Sequence, residues 1–207
     1  MNSIADKVLF EGGIDIVNAD YGPEWESLRR VAHAAVRKYA VSERLAYLVN
    51  EVVDENIANI KEKEGDNPFD PSDYLYIMVY QILASIAFGK RYTMDDPELL
   101  KFIKENKEMK EQSEAALAIF EAVPFLKIFF RSKYNHIISI ARSTIKTVSD
   151  KYQEHLKDYE PGLVRDFSDA LIEAKEEALA EGKESAPYLQ DRNLEYTLFD
   201  LFLGYSC

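Results

Sequence analysis

Trp25 and Arg29 carry the most chemistry of any closely spaced pair in this chain of 207 residues. A spacing of four stacks them on one face of a helix. There an indole N–H beside a guanidinium makes a donor pair suited to a carboxylate. The surrounding residues support that helix. Pro23 fits its first position, where the missing N–H has no intrahelical partner to lose, Gly22 is a plausible cap, and Glu24 and Glu26 sit near the positive end of the helix dipole. On spacing alone, a Trp packed beneath an Arg stem is the more ordinary arrangement. A second set, Arg30, His33 and Arg37, forms its own stripe on the same helix, with Lys38 beside it. Such a stripe is usually a solvated face. It also suits docking of an acidic partner.

The elements that must hold these residues are helical. Few Gly and Pro interrupt the chain, and those present stand between helical patterns. After the Trp25 helix, Ser42 caps a second one that follows Leu45, Leu48, Val49, Val52, Ile57 and Ile60 until Gly65. The turn at Asn67 to Pro71 leads into Ser72–Phe88, apolar on nearly all sides and therefore predicted to be buried centrally. Gly89 ends it. Asp96-Pro97 starts a charged helix to about Phe120, and Glu121–Phe130 then breaks the pattern with a run too apolar for a solvated loop. A long helix covers about Arg131 to Tyr159, and a shorter one Arg165 to Ala180. A polar linker, Gly182 to Gln190, precedes a last helix beginning at Asp191. No alternating strand pattern and no internal repeat is present, so the chain reads as all-α, a single unit over 1–207 without a domain boundary.

Composition narrows the partners. A hydrophobic content of 47%, with 12% aromatics, is enough for a sizeable core. The net charge of −12 argues against nucleic-acid binding, which needs a basic footprint. A lone cysteine, Cys207, excludes an intrachain disulfide framework and fits a reducing compartment. Met1–Phe10, carrying Asp6 and Lys7, does not read as a signal peptide, and no apolar run reaches the length of a membrane span.

The run Asp15-Ile16-Val17-Asn18-Ala19-Asp20-Tyr21-Gly22-Pro23-Glu24-Trp25 followed by Arg29-Arg30 resembles the approach to helix C of microsomal cytochromes P450. Further resembling pieces are Asp96-Pro97-Glu98-Leu99, Val123-Pro124-Phe125-Leu126-Lys127-Ile128-Phe129 and Asp200-Leu201-Phe202-Leu203. Within that family the likeness is greatest to steroid 17-alpha-hydroxylases and their relatives. It extends over nearly the whole chain. The resemblance implies an incomplete P450 fold, with helix C near 23–40, D near 43–64, E near 72–88, F near 97–120, G near 131–158, H near 165–181, and I from 191.

It also implies roles. Trp25 and Arg29 would hold a haem propionate, with Gly204 close to the haem. Val17, Asn18, Asp200 and Gly204 would roof a lipophilic, possibly steroidal, substrate. Arg30, His33 and Arg37 would face NADPH–P450 reductase, the source of electrons, or cytochrome b5. Val123–Phe130 would touch the endoplasmic reticulum membrane in the intact protein. The oxygen-activation motif departs from the family pattern, because Gly204-Tyr205-Ser206-Cys207 lacks its acid and its threonine. Cys207 has the wrong neighbours for the thiolate ligand, and Glu26 to Arg29, though it fits Glu-x-x-Arg, lies inside helix C. The expectation is a P450 fragment, a haem-thiolate monooxygenase by family but inactive alone. The alternative is a non-catalytic truncated paralogue or helical interaction protein. His33, His136 and His155 show no ligand spacing, so no protein metal site is expected. No Gly-rich phosphate loop appears, and no carboxylate pair stands out as an acid/base couple.

Overall fold

The structure, a computed structural model, describes residues 14–17, 19–40 and 43–203. Among them every regular element is helical and none is a strand. α1 is Pro23–Ala40, α2 Glu43–Glu64, α3 Ser72–Phe88, α4 Pro97–Ala122, α5 Leu126–Phe129, α6 Arg131–Asp158, α7 Phe167–Ala180 and α8 Asp191–Leu203. A single 3-10 turn, Ala186–Tyr188, lies in the linker before α8.

Local chemistry sets these limits. Pro23 opens α1, and the Glu26 N–H reaches back to the Gly22 carbonyl at 2.9 Å. The Asp96 carboxylate accepts from the N–H groups of Glu98 and Leu99, satisfying two otherwise unpaired donors at the start of α4. Asp166 does the same for α7 through the Asp169 N–H. Gly65 and Gly89, at φ 60° and 64°, end α2 and α3 in the left-handed conformation that favours glycine. Ser42, expected to cap α2, lies outside the described residues.

The helices pack in pairs, α1 against α7, α2 against α3, and α4 against α6, with α8 touching α1, α3 and α6. Phe202 on α8 is fully buried, with ring centroids 4.9 Å from Phe102, 5.5 Å from Phe88 and 6.3 Å from Tyr80. The expected central burial of α3 is only half met. Its buried face is Tyr80, Gln81, Ala84, Ser85, Ala87 and Phe88, whereas Leu75 is exposed and Ile77, Val79, Ile82 and Ile86 are half-buried. Small residues let neighbouring backbones approach, so the Ser168 Oγ on α7 reaches the Ala87 carbonyl at 2.5 Å. The buried Gln81 amide accepts from Asn56 at 2.8 Å and donates to the Tyr92 carbonyl at 3.0 Å. It therefore joins α2 to the chain beyond α3.

Candidate functional site

Trp25 and Arg29 do come together on α1, with the guanidinium carbon 4.9 Å from the indole centroid. This is a cation–π contact. They do not present two free donors, however. The indole N–H donates to the Ile16 carbonyl at 3.0 Å, because the segment before α1 folds back beside that helix. The guanidinium alone is left for a carboxylate. Spacing shows which side chains share a face. It cannot show that a backbone carbonyl nine residues earlier takes one of the donors.

Trp25, Glu26, Arg29, Arg30, His33 and Arg37 line one open groove of about 330 Å³. The two stripes thus share a surface. Lys38 pairs with Glu173 on α7. Arg29, Arg30, His33 and Arg37 have no ion-pair partner among the described residues, although the chain carries 37 Asp and Glu. Pairing with carboxylates of the described residues therefore does not account for this cluster.

Asp200 on α8 meets the segment before α1. Its Oδ2 accepts from the Ile16 N–H at 2.8 Å. The Ile14 N–H donates to Asn193 Oδ1 at 3.0 Å, one end of α8 away. Burial, and then the charge of the buried Asp15, push the Asp200 carboxyl up to about 8, against the opposing pull of the Ile16 and Val17 N–H groups. Its Oδ1 is buried without a hydrogen-bond partner among the described residues. Val17, 61% exposed, adjoins this clasp, so two of the expected roof residues lie together. Asn18, Gly204, Tyr205, Ser206 and Cys207 lie outside the described residues. The Asp15–Asp200 juxtaposition is absent from the sequence reading, and no local signal announces it.

At the turn between α4 and α6, Phe125, Ile128, Phe129 and Phe130 are 59%, 76%, 76% and 55% exposed. The run expected to be too apolar for a solvated loop forms the single turn α5 and points its rings outward. A monomer rarely exposes such a contiguous patch without use for it. No described helix is long and apolar enough to cross a membrane.

A second cluster also escapes the sequence. His155, read there as isolated, lies against Asp166 and Asp169, with one ligand atom from each within 4.8 Å of the others. Arg165 already holds Asp169, its Nε at 2.7 Å from Oδ2 and an Nη at 3.0 Å from Oδ1. A metal ion there would face a guanidinium.

The family model described as Cytochrome P450 matches residues 2–204, and the chain belongs to that family. Guinea-pig (Cavia porcellus) cytochrome P450 1A1 is 29% identical over 157 residues, covering 72% of this chain and 30% of that protein. Rat (Rattus norvegicus) cytochrome P450 2D26 is 28% identical over 191 residues, covering 91% of this chain and 37% of that protein. The chain thus spans about a third of the length of these relatives. A solved zebrafish cytochrome P450 with progesterone superposes with a TM-score of 0.79 over 97% of this chain and 44% of its own, at 23% identity. The zebrafish P450 with abiraterone gives 0.74. The described residues therefore form a helical part of the P450 fold.

Proposed function

We propose that this chain supplies the central helices of a haem-thiolate monooxygenase that inserts one oxygen atom of O2 into a lipophilic, steroid-like substrate. The observation that carries this reading is the Arg29 guanidinium, stacked on Trp25 and without an anionic partner among the described residues. Its donor set fits the propionate edge of a haem. Trp25 holds the guanidinium from one side, and the Ile16 carbonyl fixes the indole in turn. A bound haem would supply the oxygen activation, with electrons drawn from NADPH through a reductase. Gly204 is the proposed site of close backbone approach to it. No iron ligand is assigned among the described residues.

The segment Val17–Asn18 and Asp200 form the proposed substrate roof. A carboxyl raised to about 8 is mostly uncharged at neutral pH, which suits a lipophile. The steroid class rests on the sequence likeness and on the progesterone complex of the zebrafish relative. Arg30, His33 and Arg37 would receive an acidic redox partner, the reductase or cytochrome b5, by electrostatic attraction that raises the association rate and weakens with salt. Phe125, Ile128, Phe129 and Phe130 would rest on the cytosolic face of the endoplasmic reticulum membrane.

The test is a chimaera in which this chain replaces the matching segment of the zebrafish P450. Haem content should fall in Arg29→Ala and recover partly in Arg29→Lys, since a hydrogen bond to a charged group contributes about 1.5–3 kcal/mol. Equal haem retention in the chimaera and in Arg29→Ala would reject the assignment. Charge reversal at Arg30 and Arg37 should slow reduction by the reductase at low ionic strength and spare peroxide-supported turnover. Equal losses in both assays would make those residues structural.

A further inference from the structure

His155 stands three residues before the end of α6, where the chain turns through Pro161–Gly162 toward α7. Its Nδ1 lies 2.9 Å from the Lys151 carbonyl and its Nε2 2.7 Å from Asp166 Oδ2. A backbone carbonyl has no proton to give, and an ionised carboxylate only accepts. Both ring nitrogens must then donate, which only the imidazolium does. The other Asp166 oxygen, Oδ1, is an acceptor as well, taking the Asp169 N–H at 3.0 Å.

Asp166 has little room to adjust. It is 1% exposed, it caps α7, and a Cβ added at Gly89 would lie 2.4 Å from its Oδ2. The carboxylate is thus pressed between the ring on α6 and the end of α3. Beside it, Ser168 ties α7 to the Ala87 carbonyl.

The charged groups that neighbouring elements bring toward this point are held by partners of their own. From α7 and its approach come Asp166, Asp169 and Arg165, the last also holding Asp158 of α6 at 3.1 Å. From α4, Glu98 reaches α6 only at Lys151, 3.1 Å away, and also holds Lys90. From α8, Asp191 is taken by Lys175 and Tyr152, and Glu195 by Ser149 and Gln153. α3 brings only Gly89, just past its end, which carries no charge.

We propose that His155 is an imidazolium at neutral pH whose second N–H proton closes a latch between the end of α6, the start of α7 and the end of α3, so that this corner opens when that proton leaves. A neutral ring has one N–H for two acceptors. Loss of the proton therefore removes the donor from Lys151 or from Asp166, and the buried Asp166 cannot turn to water instead. Burial works against the charged ring, but the Asp166 bond and charge, the Lys151 carbonyl and the Asp169 charge together raise its pKa above the ordinary 6.5. A raised folded-state value means that the latch stabilises fully below the unfolded value. That contribution is lost as pH rises through the folded one.

With only three histidines, the 207-residue chain suits a direct 15N NMR titration, the ring signals being assigned through His33→Gln and His136→Gln. His155 should show two protonated ring nitrogens at pH 7 and titrate above 6.5. Hydrogen exchange at Phe167–Leu171, corrected for intrinsic rate, should accelerate through that same titration. The increase should be about tenfold for each unit by which the closed-state pKa exceeds the open-state value. Asp166→Asn, which retains an acceptor for the cap, should lower the His155 value and remove the step. Titration of wild-type His155 at or below 6.5, or exchange at 167–171 with no step across it, would overturn the latch. The wild-type measurements decide the matter even where a variant fails to fold.

Discussion

Replacing Asp200 by Asn should make the chain more stable, and increasingly so as pH rises. The side chain is mostly buried, its Oδ2 accepts from the Ile16 N–H, and its Oδ1 has no partner among the described residues. Burial and Asp15 raise its carboxyl from 3.8 to about 8. Between those values the folded chain holds a proton that the unfolded chain releases. Stability therefore falls as pH rises through this window and levels off above it. At about 1.4 kcal/mol per pKa unit, the accumulated loss is about 2 kcal/mol at pH 5 and about 5 kcal/mol at pH 8. Asparagine keeps an acceptor for Ile16 and cannot ionise, so the variant should escape most of that loss.

The assay is urea unfolding of wild type and Asp200→Asn at pH 5, 6.5 and 8, followed by helical circular dichroism. His155 also loses stabilisation as pH rises, but it does so in both proteins and cancels in the difference. That difference should grow in favour of the variant at each step. Asp15→Asn, which removes the second cause of the shift, should lower the Asp200 value and flatten the wild-type slope in part. A constant difference between wild type and Asp200→Asn at all three pH values would refute the reasoning. So would a variant that is less stable at pH 8.

Three further outcomes are expected. Arg165→Ala leaves the fully buried Asp169 carboxylate without its guanidinium and should cost about 3–5 kcal/mol in denaturant unfolding at pH 7. Gly89→Ala places a Cβ 2.4 Å from Asp166 Oδ2 at a φ of 64°; the backbone term alone is about 1–2 kcal/mol, and displacement of Asp166 should also lower the His155 pKa seen by NMR. Phe125→Ser with Phe129→Ser should leave the unfolding midpoint nearly unchanged, since both rings are largely exposed, while reducing adsorption to phospholipid vesicles in a flotation assay.

Helix limits were the most legible feature because their signals are local. Pro23, Gly65, Gly89 and Asp96-Pro97 stand where the structure starts or stops a helix, and only the ends of α4 and α7 moved by about a turn or less. The face that α3 buries was not legible. A helix apolar on nearly all sides gives no direction, and the face it turned inward carries Ala84, Ser85 and Gln81, not its larger aliphatics. The contacts that give the site its character are longer in range. Ile16 and Asp200 lie 184 positions apart, and His155 meets Asp166 across a turn eleven residues on. One of these did leave a trace, since Asp166 and Asp169 around the start of α7 fit a capped helix with Arg165 beside it.

The cations draw the sharpest distinction between structural and functional charge. Arg165, Lys175, Lys38 and Arg91 each find a carboxylate within the fold. In a chain with 37 acidic side chains against 25 Lys and Arg, such partners are the expected outcome. Arg29, Arg30, His33 and Arg37 line one groove and find none among the described residues. Long cationic side chains gathered on one helix repel one another and gain nothing for the fold by staying unpaired. Anions from outside the described residues would account for that arrangement, and the proposed roles follow this division, a cofactor carboxylate for Arg29, stacked on the Trp25 ring, and the acidic surface of a partner for Arg30 and Arg37.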